Sequence, residues 1–306
     1  MSARVVVAGS SNTDMILQTP QIPSLGETIL GGQFSMAAGG KGANQAVAAA
    51  RSGGKVTFLA RVGDDLFGRQ AIENFQQAHI NVEHVIQDDG ASTGVALIFV
   101  DEKGENCIGV AAGANGRLSP ADIDQAHACI ESADLLVLQL EIPLETVRRA
   151  TKIAAAANVP VILNPAPAQV LDRDLLQNVS ILTPNESEAE LLTGIRVTHS
   201  SSAAQAAEML QSRGVETVIV TMGAQGVLVA SPQFSGWVPA FALDPVDTTA
   251  AGDVFNGALA VALSEGQPLA TAVRFASAAA ALSVTQLGAQ PSAPLRQEIE
   301  DFLLQQ

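Results

Sequence analysis

Short apolar runs alternate with helical patterns along almost the whole chain, and that rhythm constrains the fold more than any other feature. The runs are VVVAG (5–9), VTFLARVG (56–63), LLVLQL (135–140), VPVILNP (159–165), VSILTP (179–184), TVIVTMG (217–223) and GVLVA (226–230). Between most of them lie ANQAVAAARSG, FGRQAIENFQQAH, LETVRRATKIAAAA, SEAELLTG and AAQAAEMLQSRG, each with apolar residues at helical spacing. The alternation predicts an α/β fold with a doubly wound, mostly parallel sheet flanked by helices. In such sheets ligands gather beyond the carboxyl ends of the strands. Asn12 and Asp14 follow the first run, and Glu141, Asn164, Asn185 and Thr221 follow later ones. One polar residue there is ordinary loop chemistry; a set of them at successive strand ends predicts a site.

Two segments break the rhythm. MILQT with ETILGG (15–32), and STGVALIFVD with ENCIGVAAG (92–113), read as short hairpins, the second turning through Lys103-Gly104. Together they predict a small antiparallel sheet acting as a lid over the strand ends, formed by about 12–36 and 92–113. The rest reads as a single domain over 1–306, without repeats or low-complexity linkers. A content of 47% hydrophobic and 15% charged residues suits one large core.

The first apolar run is too short for a secretory signal, and Arg274 and several serines interrupt the alanine-rich stretch 269–284, which favours a buried helix over a membrane span. Cys107 and Cys129 form neither a disulfide framework nor a zinc spacing. A cytoplasmic enzyme that binds no membrane fits these features. A net charge of −15 argues against nucleic acid as a partner.

The segment DTTAAGD, Asp247 to Asp253, precedes the apolar run VFNGALAVAL. Thr248 and Thr249 are N-cap candidates, and Ala250-Ala251-Gly252 lets backbone approach a ligand closely. Free amides at such a helix start attract anions, and a carboxylate beside them suits a general base for a hydroxyl nucleophile. Taken alone, the same letters also describe a capped, small-residue helix start. A second glycine-rich run, AAGGKGANQA (37–46), surrounds Lys41, with Asn44 opening an alanine-rich helix. It has neither the Walker nor the dinucleotide spacing.

These two runs, in this order and about two hundred residues apart, resemble the ribokinase-like family of carbohydrate and nucleoside kinases. The resemblance extends through GSSNTDM (9–15), NPAPA (164–168), TPNESE (183–188), TMGAQG (221–226) and GAQPS (288–292). It implies phosphorylation of D-ribose at its 5-hydroxyl by ATP, with another small sugar or a nucleoside as the alternative acceptor. A sensor that kept the fold and lost the chemistry is disfavoured by the presence of Gly252 and Asp253. By this resemblance Asp253 is the base, and Ala251 and Gly252 supply anion-hole amides. Asn12, Asp14, Gly40, Lys41, Asn44 and Glu141 match sugar-binding positions. Asn185, Thr221, Gly223, Gly226, Gly252 and Ser277 match ATP-contacting positions, although TMGAQG alone equally fits a tight hairpin turn. The resemblance links Glu188 to Mg²⁺, through water because Mg²⁺ keeps several of its waters. Asp247, Thr249, Ser283, Gln286, Gly288 and Ser292 match a monovalent-cation site for K⁺. A homodimer joined through the lid is also implied.

Charge placement narrows the acceptor. Segment 12–36 contains no Lys or Arg, Lys103 sits at a hairpin turn, Arg117 lies beyond the second lid segment, and Lys41 is the one cation inside a site motif. A phosphosugar needs a cation at its distal end, so the pattern predicts an unphosphorylated pentose.

Overall fold

The computed structural model describes residues 3–306; the first two residues of the expected 1–306 domain lie outside the described residues. In chain order the strands are β1 (Arg4–Ala8), β2 (Asn12–Gln18), β3 (Gln33–Gly39), β4 (Lys55–Gly63), β5 (Val85–Asp88), β6 (Gly94–Val100) and β7 (Asn106–Ala111). They continue as β8 (Leu135–Leu138), β9 (Val161–Leu163), β10 (Ile181–Leu182), β11 (Thr217–Thr221), β12 (Gly226–Ala230) and β13 (Gly236–Pro239). Nine of them form one sheet in the order β13-β12-β11-β10-β9-β8-β1-β4-β5. All its pairings are parallel except β11–β12 and β12–β13. The sequence pattern had not marked β5 or β13, which are short and only partly buried.

Side chains alternate across this sheet into two cores. Val5, Val7, Phe58, Leu135 and Val137 pack beneath the Lys41–Arg51, Ala251–Ser264 and Leu269–Ser283 helices. Val6, Ala8, Leu59, Leu136 and Leu138 face the Leu144–Ala156 and Ser200–Ser212 helices. Residues Asp253 to Ala262 are buried all round their helix, as expected of an apolar sequence without a polar face. Its Gly257 allows close contact with the Lys41–Arg51 helix: an added Cβ would lie 2.6 Å from the Gln45 carbonyl oxygen and 2.7 Å from the Ala49 nitrogen.

The small sheet has the order β3-β2-β6-β7. Its outer pairs are antiparallel as anticipated, but the central pair β2–β6 is parallel, because the chain leaves for the large sheet between them. ETILGG is not a strand. Gly26, Gly31 and Gly32 all take positive φ, and Gln33 begins the partner of β2 instead. The lid boundary expected at residue 36 therefore falls inside β3. β1 lies between β4 and β8, so strand order reverses there and a crevice opens beyond the carboxyl ends of β1 and β8.

Candidate active site

Asp253 occupies the first turn of the Ala251–Ser264 helix and is only 6% exposed. The N-cap is Ala250, with φ of 60°, and not Thr248 or Thr249 as the sequence suggested. The reason is Asp247: its carboxylate accepts the Thr249 N–H and the Gly288 N–H, both at 2.9 Å, and this closes a turn ahead of the helix. The Ala251 N–H turns back to the Thr248 carbonyl at 3.3 Å. The expected pair of free amides thus shifts by one residue. Val254 N–H makes the first helical bond, and among the described residues the Gly252 and Asp253 amides meet no acceptor. A Cβ added at Gly252 would meet nothing within 4 Å, so open space lies before this positive helix end.

The start of the Lys41–Arg51 helix supports the carboxylate. Asn44 Nδ2 donates to Asp253 Oδ2 and Gln45 Nε2 to Oδ1, each at 2.9 Å. Lys41, not Asn44, is the first residue of that helix. Burial pushes the Asp253 carboxyl above the usual carboxylate range, and Lys41 with the two amides works against that shift. Asn44 Oδ1 is buried and has no partner.

Next to Lys41, Glu141 follows β8 and receives the Lys41 backbone N–H at 3.0 Å and the Ser10 hydroxyl. Gly40 has φ of 90°, and a Cβ there would lie 2.7 Å from the Asn12 nitrogen, so only glycine fits. Burial, with Glu141 nearby, raises the Asp14 carboxyl to about 6. Burial lowers the Lys41 ammonium, but Asp253, Glu141, Glu188 and Asp14 together hold it above its ordinary value. One cation therefore serves four carboxylates, which brings Asp14, Lys41, Glu141 and Asp253 into one cluster. No sequence pattern singles out Asn115, 1% exposed, whose Nδ2 donates to Asn12 Oδ1 at 2.7 Å and to the Ser11 carbonyl, while its Oδ1 accepts the Ser11 N–H.

On the other side of Asp253, Asn185 and Thr221 are bridged at neighbouring strand ends. TMGAQG is a hairpin turn between the antiparallel strands β11 and β12, and Gly223 and Gly226 take positive φ within it. Ser277 is buried and its hydroxyl has no partner. Glu188 and Asn185 form a capping box: Glu188 accepts the Asn185 N–H at 2.9 Å and its side-chain N–H at 3.0 Å. Burial raises the Glu188 carboxyl. Among the described residues no group of three or more His, Cys, Asp or Glu could hold a metal by itself.

The loop after the Leu269–Ser283 helix lies against Asp247. Val246 and Asp247 donate to the Val284 carbonyl, and Gln286 to that of Ser283. Ser292 is buried, its hydroxyl donating to Ala289. Among the described residues no N–H reaches the carbonyls of Thr249, Gln286, Gly288 or Ser292. Hydrogen bonds from Thr249 and Gly288 hold the Asp247 carboxyl below its usual range despite partial burial, which opposes them. Arg51 fixes the loop by donating to the carbonyls of Gln290, Pro291 and Ala293.

A family model for the pfkB family carbohydrate kinases matches residues 2–296. The chain belongs to this family. It is 45% identical to a ribokinase of Haemophilus influenzae over 99% of each chain. It is 40% identical to a deoxyribokinase of Salmonella typhimurium over 98% of each. A solved structure of Arabidopsis thaliana ribokinase, complexed with ribose and ATP, superposes with a TM-score of 0.91 at 32% identity, covering 99% of each chain. In this chain a buried carboxylate, Asp253, lies beside free amides at a helix start.

Several site residues were not singled out from sequence. Gln45 sits inside the quoted AAGGKGANQA run, Gln139 interrupts LLVLQL, and Asn256 interrupts VFNGALAVAL. A lone polar residue inside an apolar run was the available signal. Among the described residues no helix is long and apolar enough to cross a membrane.

Proposed function

We propose that this enzyme is a ribokinase, transferring the γ-phosphoryl group of ATP to the 5-hydroxyl of D-ribose. The observation that carries the reading is the Asp253 carboxylate, buried and hydrogen-bonded by Asn44 and Gln45, at a helix start whose Gly252 and Asp253 amides are free. Asp253 accepts the proton of the 5-hydroxyl as that oxygen attacks phosphorus, and the two amides stabilise the charge developing on the phosphoryl oxygens. Ala251 flanks this anion hole with its own amide already engaged.

Asn12, Asp14, Gly40, Lys41, Asn44 and Glu141 hold the sugar. The free Oδ1 of Asn44 suits a sugar hydroxyl as donor. Asn185, Thr221, Gly223, Gly226, Gly252 and Ser277 line the nucleotide side, where the unpaired Ser277 hydroxyl is a polar contact for the base. Mg²⁺ supplies charge neutralisation when bound with the triphosphate, and Glu188 reaches it through water. The lone Glu188 carboxylate fits an ion whose remaining ligands come from phosphates and water. Asp247, Thr249, Ser283, Gln286, Gly288 and Ser292 hold K⁺, and the unengaged carbonyls together with an ionised Asp247 are a fitting oxygen donor set. The small sheet acts as a lid over the sugar. Its exposed apolar residues Phe34, Met36, Leu97, Ile108 and Val110 support a homodimer joined there, in the cytoplasm.

The test is ATP turnover across ribose, deoxyribose, fructose, fructose 6-phosphate and adenosine. Ribose should give the highest kcat/KM. Arg117, the cation beyond the second lid segment, is engaged by Asp88 at 3.1 Å, which leaves a phosphosugar without a distal partner. A preference for fructose 6-phosphate or adenosine would overturn the assignment. A preference for deoxyribose would move it to the activity named for the Salmonella relative.

A further inference from the structure

Gln45 is completely buried, and every polar atom of its side chain is engaged. Its Nε2 donates to Asp253 Oδ1 at 2.9 Å and to Asn164 Oδ1 at 3.2 Å. Its Oε1 accepts Gln139 Nε2 at 2.7 Å. Asn164 in turn donates to the Thr183 carbonyl at 3.2 Å, and the Thr183 hydroxyl donates to Asn256 Oδ1 at 2.7 Å. Asn256 Nδ2 then donates to the Gly252 carbonyl at 2.7 Å, inside the anion-hole turn. A closed circuit of uncharged side chains therefore runs from the carboxylate, through two strand ends, back to the same helix start. Every atom that links one member to the next is paired, Gln139 Oε1 alone being buried without a partner, and the circuit immobilises one acceptor.

We propose that Gln45 is a positioning residue for phosphoryl transfer: anchored by Gln139 and Asn164, it fixes the Asp253 carboxylate by Oδ1 and keeps it a competent proton acceptor. The inference rests on Asp253 being the base of the proposed reaction. Asn44 holds the second oxygen, so the two donors together set the plane of the carboxylate and leave a lone pair on each oxygen for the incoming hydroxyl. The division of labour follows from what each residue faces. Asn44 is 8% exposed with a free Oδ1 available to sugar, whereas Gln45 has no atom left for substrate. Lys41, on the same helix as Gln45, favours the ionised Asp253, whereas Glu141 from beyond β8 and Glu188 from the Glu186–Thr193 helix disfavour it, and burial, the largest cause, leaves the carboxyl raised. Removing a donor N–H stabilises the protonated form further.

Gln45→Met keeps the volume and removes the donor. With saturating ribose and magnesium ATP, kcat at pH 7 should fall about 10- to 100-fold, the loss typical of one hydrogen bond to a charged group. The ribose KM should stay within about threefold, and the acid limb of the kcat profile should move up by roughly one pH unit. Gln45→Glu, nearly isosteric, should also move the limb up, because a second carboxylate disfavours ionisation of the first; it keeps the test alive if the methionine variant fails to fold. A limb that stays in place in the folded variant, or a loss of kcat equal at every pH, would overturn the inference, because a merely structural glutamine would act that way. Should wild type phosphorylate ribose and Asp253→Asn be inactive while both Gln45 variants titrate like wild type, only the role of Gln45 falls. Should wild type leave ribose unphosphorylated, or Asp253→Asn stay active, the proposed function falls and this role with it.

Discussion

Gly257→Ala tests how closely the two helices that build the site must approach. The added methyl would lie 2.6 Å from the Gln45 carbonyl oxygen and 2.7 Å from Ala48 Cβ, against an ordinary contact distance that begins at 3.4 Å. The Lys41–Arg51 helix must retreat by about 0.8 Å to relieve this, since both near atoms belong to packed helix and not to a flexible chain end. A retreat of that size would lengthen the 2.9 Å bonds from Asn44 and Gln45 to Asp253 to about 3.7 Å, beyond hydrogen-bond range. Overpacking of this kind costs about 1–3 kcal/mol, offset by roughly 1 kcal/mol from replacing glycine inside a helix. The variant should therefore fold and melt only a few degrees lower, yet lose about 100-fold in kcat, as expected of a misplacement near 1 Å. Thermal melting together with steady-state kinetics on ribose measures both. A folded Gly257→Ala enzyme with wild-type kcat would show that the helix spacing does not set the position of the base.

Asp253→Asn should lower kcat by ~10²–10⁴ while ribose affinity stays within a few-fold, because the amide keeps the shape but accepts no proton; equal losses in binding and turnover, measured by titration and kinetics, would make Asp253 structural. Ribose KM should rise as pH falls through about 6. Asp14 is raised to that value in the free enzyme, and a sugar hydroxyl donating to its carboxylate requires the ionised form, so affinity is present above that pH and lost below it; a KM flat from pH 5 to 8 would contradict this. Turnover should be higher in potassium than in sodium or a bulky organic cation, and identical rates in all three salts would remove the monovalent-cation assignment. Asn115→Asp should raise ribose KM with little change in kcat, since an oxygen facing Asn12 Oδ1 forces the Asn12 amide to turn over; kinetics showing an unchanged KM would refute that.

Much of the large sheet was legible because its strands are fully buried runs between amphipathic helices; Asp14 and Glu141 were legible as polar residues beyond strand ends, and Lys41 and Asp253 through the two small-residue helix starts that carry the family resemblance. The short edge strands β5 and β13 were not, since partial burial leaves little periodicity to read. The start of the Ala251–Ser264 helix was misassigned at its cap. Threonine is a good N-cap by propensity, but here the carboxylate of Asp247 binds the chain first and carries the helix start to Ala250. ETILGG has the composition of a strand, yet Gly26 before it and Gly31 and Gly32 at its end turn the backbone away from β2. Gln45 and Asn115 were invisible as site residues for a different reason: their roles lie in contacts with residues 208 and 103 positions away, which no local pattern encodes.

The carboxylate at position 253 and the amides that hold it come from opposite ends of the polypeptide, 208 and 209 residues apart. During synthesis the first glycine-rich turn therefore emerges long before its partner, and Asn44 and Gln45 must wait, solvated, until the penultimate helices have been made. Loop closure over so long a span is entropically late in folding. Recovery of turnover after dilution from denaturant should thus trail recovery of helical signal, and activity becomes a reporter of the final docking of the two halves of the chain.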